Sequence, residues 1–361
     1  MAPTKPTLEL LRALSDEHVL RALMAQRRGT RAELAVMTGL SKPTVAESVR
    51  RLVDAGAVVD TGERTTGRGR IGTYYALAPA TGRGLVASLA PDGIVAEAID
   101  VYGEVLARAG APVTRAPGAE QVAGILRRVA GEVGDGPFRL AVVSAADPVD
   151  RDSGRLVELP DAPFLLGRLD PPAVLGDLVA GPVTVDNDVN WAARAEHRAG
   201  DFVYLHLGEG LGCAVVSDGE VRRGHAGLAG EIAHVLTVGP SGGAMRLTDV
   251  FETLGLRRAG STAIDVPKLL AADELRDTLA TAVAGVLSAV VALNDPAVVV
   301  LGGAWGPALL APIAREFAKA PRHVPVEAAG VSGEPALSAA RAAALNELRD
   351  AVVATASSWT A

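Results

Sequence analysis

The sequence predicts two unlike modules: a small winged helical domain over residues 1–78 and a larger α/β domain over 85–361, joined by a linker at 79–84. Three observations carry this division. Residues 1–84 hold a net charge of +5 and the remainder −12, although the whole chain is only −7. Two short helical patterns separated by a glycine turn are followed by two strand patterns around an arginine-rich tip. From Leu85 onward, short Val/Ala/Ile strands alternate with Ala/Leu-rich helices, as in an α/β domain.

Composition narrows the function classes. Apolar residues make up 49% and charged residues 21%, which excludes a disordered chain. A single cysteine, Cys213, excludes a disulfide framework and any multi-cysteine zinc site. Lys5, Glu9, Arg12 and Asp16 interrupt every apolar stretch near the start, so no signal peptide is read there. The uncharged run Thr278–Asn294 is short and weakly apolar for a membrane span and reads as a buried helix. A cytoplasmic protein without membrane attachment is expected.

In the first module, Leu10, Leu11, Leu14, Val19, Leu20 and Leu23 recur at helical spacing, with Ser15 and Asp16 as an internal cap. A short helix follows over Arg31–Thr38, then a turn at Gly39, then a second helix from Lys42 to about Ala55. Ala35 lets two steeply crossing helices approach, and Gly39 supplies the positive φ of a tight inter-helix turn. Leu40, Val45, Val49 and Leu52 form the stripe that holds the second helix down. Ser41 caps it and Pro43 is tolerated in its first turn. The groups left facing outward are Ser41, Lys42, Thr44 and Ser48, with Arg50 and Arg51 further along. Short hydrogen-bonding groups followed by cations suit base edges and phosphates in a major groove. Beyond Gly56, two strands flank the stretch 61–72, whose Arg64, Arg68 and Arg70 can reach phosphates or a narrow minor groove. A small helical domain that binds protein shares some of these features. The order of turn, cap, stripe and basic wing on the only basic part of the chain favours DNA.

In the second module, four segments place polar groups at strand ends, where α/β clefts bind ligands. They are Leu140–Asp150 with 154–161, Val183–Arg198, Phe202–Val216 with Gly224–Val235, and Val298–Gly303. Taken singly, their residues also have ordinary roles. Asp186 and Asn187 can cap the helix that follows, Gly208–Gly212 can be a tight hairpin, and His234 can be a core histidine.

These segments resemble the ROK family of repressors, open reading frames and sugar kinases over nearly the whole chain, with the winged helix in front as in its regulator branch. The resemblance implies two actin-like (ribonuclease H-like) lobes with a sugar cleft between them, a lobe boundary near 185, and a C-terminal helix returning to the first lobe. It implies sugar contacts by Asn187 and Asp188, by Glu231 and His234, and by Asp161 where the family usually has Asn. Asp188 matches the general base of the family's kinases. Gly208, Gly210 and Gly212 match its second phosphate loop.

Departures from the family pattern bear on enzymatic activity. The kinase Asp-x-Gly-Gly-Thr loop corresponds to Ser88–Asp92: Ser88 replaces Asp, Ala90 and Pro91 replace the glycines, and Asp92 replaces Thr. Pro91 removes a backbone donor and Asp92 brings negative charge where phosphate would come. Glu209 replaces a threonine in the second loop, adding another carboxylate. The zinc-binding cysteines that follow the family's histidine are missing from Val235–Asp249. The expectation is therefore a DNA-binding regulator, a repressor, with no catalytic residues, metal or cofactor. It would bind a pseudo-palindromic operator as a homodimer or homotetramer, and its degenerate kinase-like domain would sense a sugar. The alternatives are a sugar kinase with a fused DNA-binding head, and a regulator whose second domain is blind to ligand.

Overall fold

The computed structural model describes residues 7–66, 71–113, 118–159, 164 and 168–359. Helix α1 (Leu8–Gln26) starts at Thr7, whose side chain accepts from the Leu10 amide. It runs unbroken past Ser15 and Asp16, which correct the expected internal cap. Ser15 Oγ donates to the Leu11 carbonyl at 2.8 Å, while Asp16 is buried against a later helix. After β1 (Arg28–Thr30), Thr30 and Glu33 form a reciprocal capping box on α2 (Arg31–Thr38), which Gly39 ends in the left-handed conformation. Helix α3 (Lys42–Asp54) is capped by Ser41. Strands β2 (Val58–Arg64) and β3 (Thr73–Leu77) complete an antiparallel sheet of order β1-β3-β2. Val19, Leu20, Leu23, Leu34, Val45, Val49 and Leu52 fill the core of this head with no residual exposure.

The connection to the body is packed. Pro79–Thr81 forms a 3₁₀ turn, Thr81 is buried, and Arg139 Nη1 donates to the Thr81 carbonyl at 2.9 Å. The first lobe then builds β4 (Gly84–Ala90), β5 (Gly93–Ile99), β6 (Val105–Ala111), α4 (Ala119–Glu132), β7 (Leu140–Ala145), α5 (Pro171–Leu175) and β8 (Val183–Asn187). Helix α6 (Asp188–Ala195) follows directly. Its sheet order is β6-β5-β4-β7-β8, with the β4–β6 strands antiparallel and β4, β7 and β8 parallel. Val122, Leu126 and Val129 of α4 recur at helical spacing and pack on it.

The second lobe repeats that topology. It comprises β9 (Phe202–Leu207), β10 (Leu211–Ser217), β11 (Glu220–Val221), the small pair β12 (Leu236–Val238) and β13 (Ala244–Arg246), then α7 (Leu247–Thr253), α8 (Val266–Ala271), α9 (Arg276–Asn294), β14 (Val298–Gly302), α10 (Leu310–Phe317) and β15 (Val326–Ala328). The main sheet runs β11-β10-β9-β14-β15, so each lobe has a two-hairpin half and a parallel half in the same order. This duplicated plan is the actin-like arrangement. Helix α9 is long and apolar enough to cross a membrane. Here Leu279, Val283, Val286, Leu287 and Val291 lie in the core of the second lobe.

The last helix, α11 (Pro335–Trp359), packs back on β4, β7 and α6 of the first lobe and also against α1. Its Leu337, Ala340, Ala344 and Leu348 share one apolar cluster with the head. Arg21 Nη2 reaches Asp350 Oδ1 at 3.0 Å, Arg27 pairs with Glu104, and the Tyr102 hydroxyl donates to the Arg27 carbonyl at 3.4 Å. Glu97 on β5, 1% exposed, receives Arg341 of α11 at 2.7 Å and Arg108 at 2.8 Å. The head is thus seated on the first lobe and the C-terminal helix by apolar burial edged with ion pairs.

Candidate functional site

Two surfaces gather the chemistry-bearing residues. On the head, Ser41 and Lys42 are exposed at the start of α3, and Thr44 is half-buried with its hydroxyl 2.8 Å from Ser41 Oγ. Ser48 corrects the sequence reading. It is fully buried and donates to Asp16 Oδ1 at 2.5 Å, so it cannot reach a groove. Arg51 is drawn into the same cluster, with Nη2 at 2.6 Å from Asp16 Oδ1 and Nε at 3.1 Å from Oδ2, leaving 19% of its side chain exposed. Asp16 is therefore the buried anchor of the recognition helix. Arg50 does face outward as expected, and the outward group the sequence reading lacks is Glu47, joined to Arg50 at 2.7 Å. Arg64 at the base of the wing is exposed and paired with Asp60 at 2.9 Å. Arg68 and Arg70 lie outside the described residues.

Between the lobes lies a cleft of about 1140 Å³. The end of β8 and start of α6 supply one wall. Asn187 is the N-cap of α6: its Oδ1 accepts from the Val189 amide at 3.0 Å, and its Nδ2 donates to the Ala145 and Asp147 carbonyls at 3.3 and 3.2 Å. The amide thus ties β8 to the end of β7. Asp186 is 2% exposed and fully occupied by Asn190 at 2.8 Å, Arg194 at 3.0 Å and Arg223 at 2.9 Å. Arg223 comes from the second lobe, as does Gly224, whose carbonyl accepts from Arg151 at 2.8 Å. These contacts hold the 222–231 segment across the cleft mouth. Gly230 is left-handed at φ 102° and lies against the Cys213 carbonyl, where a side chain would collide.

Among the described residues, Asp188 and Glu231 face the cleft without a cation partner. Burial pushes the Asp188 carboxyl up to about 7, partly opposed by backbone N–H groups at the start of α6. Burial, then the charges of Asp188 and Asp147, push Glu231 up to about 7 as well. His234 sits on the exposed rim. Asp161 lies outside the described residues.

Three further cleft residues emerge only from the structure. Asp147, 3% exposed, follows β7. His206 interrupts the apolar strand β9, and burial pushes its imidazole down to about 4, so it is neutral at pH 7. Arg258 pairs with Glu209. That pair modifies the expectation of one carboxylate on each phosphate loop: Arg258 offsets Glu209 on the Gly208–Gly212 loop, while Asp92, with Pro91, also lines the cleft. The residues that sequence could have flagged are His206, a polar group inside an apolar strand, and Glu47, an acid on a basic helix face. Arg258 carries no such signal. Among the described residues, no group of three or more His, Cys, Asp or Glu side chains could hold a metal ion.

The duplicated lobes, their cleft and the winged head define a winged-helix protein with an actin-like body of the sugar-kinase type. Comparisons with known proteins agree. Residues 119–246 match the ROK family and residues 12–59 match the winged helix-turn-helix DNA-binding family. The chain is 37% identical over 167 residues to the bifunctional enzyme NanE/NanK of Brucella melitensis, covering 41% of this chain and 30% of that one. It is 23% identical over 237 residues to the xylose repressor of Caldicellulosiruptor bescii, covering 62% and 59%. The chain therefore spans less than two thirds of the length of either relative. Among solved structures, it is similar to a ROK family transcriptional regulator described as a homolog of the E. coli MLC protein. The TM-score is 0.62 at 18% identity, covering 96% of this chain and 99% of that one. A ROK-family match over residues 119–246 thus lies behind a winged helix-turn-helix match over residues 12–59.

Proposed function

We propose that the chain is a DNA-binding transcriptional regulator, a repressor, whose ROK-type body drives oligomerisation and senses a sugar-type effector without transferring phosphate. The observation that carries this reading is α3. Its N-terminal end presents Ser41, Lys42 and Thr44 on a basic head, and Asp16 locks the helix beneath it. One such helix covers a half-site, so the partner is a pseudo-palindromic duplex bound by a homodimer or homotetramer. Arg64, Arg68 and Arg70 of the wing would add phosphate contacts.

Asp188 and Glu231 are the effector contacts this reading favours, with His234 at the rim and Asn187 holding the wall; Asp161 stays a contact by family resemblance alone. Their acceptors suit sugar hydroxyls. Two relatives named xylose repressors put a pentose first in any ligand panel. Because the head is seated on the first lobe and α11, closure of the second lobe on a sugar would alter the spacing of two heads on one operator. Substituting Asp188 and Glu231 without effect on the ligand response would remove that mechanism.

The kinase reading draws on Asp188, whose carboxyl near pH 7 suits a general base, and on the kinase relatives. Pro91 and Asp92 on the phosphate side oppose it, and no sugar-dependent ATP turnover is expected. Selection of bound duplexes from a random library tests the main reading. An enriched inverted repeat whose affinity falls steeply with salt supports it, and recovery of no preferred sequence refutes it.

A further inference from the structure

The face of α3 that would enter a groove carries a carboxylate at its centre. Val45, Ser48, Val49 and Leu52 are buried and Arg51 is folded onto Asp16, so the polar side chains exposed between Lys42 and Arg50 are Lys42, Glu47 and Arg50, with Thr44 half-buried. Glu47 and Arg50 are 59% and 61% exposed. Glu47 Oε2 accepts from Arg50 Nη2 at 2.7 Å, and Arg50 Nη1 lies 3.9 Å from Asp54 Oδ2. Among the described residues, Glu47 Oε1 has no partner.

An exposed ion pair one helical turn apart adds little to stability, so helix stability does not account for an acid at this position. On a surface that meets a polyanion, the acid weakens binding to every sequence unless it finds a donor. The donors in a major groove are the N4 amino group of cytosine and the N6 amino group of adenine. Adenine sets its amino group beside the N7 acceptor, which repels a carboxylate that has no proton to offer. Cytosine presents the donor alone. Arg50 beside it holds the Glu47 carboxyl below the usual carboxylate range, so the group is ionised and acceptor-only at pH 7.

Resting on the DNA-binding reading above, we propose that Glu47 selects cytosine at one position of each half-site, Oε1 accepting from the N4 amino group while Arg50 holds Oε2. Glu47 lies in the second turn of α3, within the N-terminal part that recognition helices direct at base edges. Arg50 acts as a positioning residue that also offsets the negative charge.

The test is duplex selection with the full-length chain and its Glu47→Gln, Glu47→Ala and Lys42→Ala variants, with affinities measured on the wild-type winner and on a scrambled duplex. The wild type is expected to enrich a cytosine at a symmetric pair of positions. Glu47→Gln is expected to lower the preference for cytosine there by about tenfold and to raise adenine, since a glutamine amide matches N6 and N7, with other positions unchanged. Both Glu47 variants should bind the scrambled duplex more tightly than the wild type. Lys42→Ala should weaken all duplexes alike and lower the salt slope by about one. Base preferences unchanged in Glu47→Gln and Glu47→Ala would overturn the proposal and leave DNA binding intact. Failure of the wild type to select any sequence would overturn both.

Discussion

The head and the cleft both bury carboxylates, and they treat them in opposite ways. In the head, Asp16 is 1% exposed and meets Ser48 and the Nε–Nη2 edge of the Arg51 guanidinium. Glu97 at the seam with α11 is equally buried and meets Arg108 and Arg341. In the cleft, Asp188 and Glu231 pair with no arginine or lysine among the described residues, Asp188 repels Glu231, and both stand at about 7. Burial alone therefore does not mark a functional acid; the neighbours decide. Where the scaffold needs an acid, it supplies a cation. Where an acid faces a cavity unpaired, the cost of desolvation is retained until a ligand offers donors.

The largest expected effect breaks the scaffold side of this contrast. Asp16→Ala leaves Arg51 and Ser48 facing an uncompensated pocket and should destabilise the head by about 3 kcal/mol, with loss of duplex binding. Urea denaturation of the variant checks this. Asp16→Asn should recover part of the loss, because its amide oxygen still accepts from Ser48. A result for Asp16→Ala within error of wild type would erase the distinction between paired and unpaired acids.

The cleft side has a pH signature. Asp188 and Glu231 rise from ordinary values of 3.8 and 4.5 to about 7 on folding. The folded chain therefore binds more protons than the unfolded chain between about pH 4 and 7. Stability falls as pH rises through that window and levels off above it. Asp188→Asn combined with Glu231→Gln should remove this fall, making the variant more stable than wild type at pH 8 by on the order of several kcal/mol and nearly equal at pH 4. His206, pushed down from 6.5 to about 4, works the other way, losing stability as pH drops below 6.5. That contribution is common to both proteins and cancels in their difference. The same double variant should lose any sugar-induced rise in Tm.

The smallest effect concerns a local device. Thr30→Ala removes one half of the capping box on α2 and should cost about 1 kcal/mol without changing base preference. A change in preference would show that α2 orientation, and not only the exposed face of α3, enters recognition.

Local signals made α3 legible. Ser41, Gly39 and the stripe Val45, Val49 and Leu52 lie within one short stretch, and each has a defined backbone or packing role. Ser48 is polar and so reads as exposed, although it lies on the same helical face as that stripe and is buried. Its partner Asp16 is 32 residues away, so no local pattern shows it. The ties among Glu97, Arg108 and Arg341 span up to 244 residues and arise only when α11 returns to the first lobe. The cleft is intermediate. Strand ends marked Asn187 and Asp188, whereas the Arg258–Glu209 pair, 49 residues apart, depends on how the two loops meet.

The most direct test of the account is the affinity of the full-length chain for its selected duplex against a scrambled duplex of equal length, by fluorescence anisotropy at several salt concentrations. A ratio of about 10³ or more at physiological salt, with both affinities falling as salt rises, is the predicted result. Equal affinities for the two duplexes would contradict the claim that α3 reads sequence.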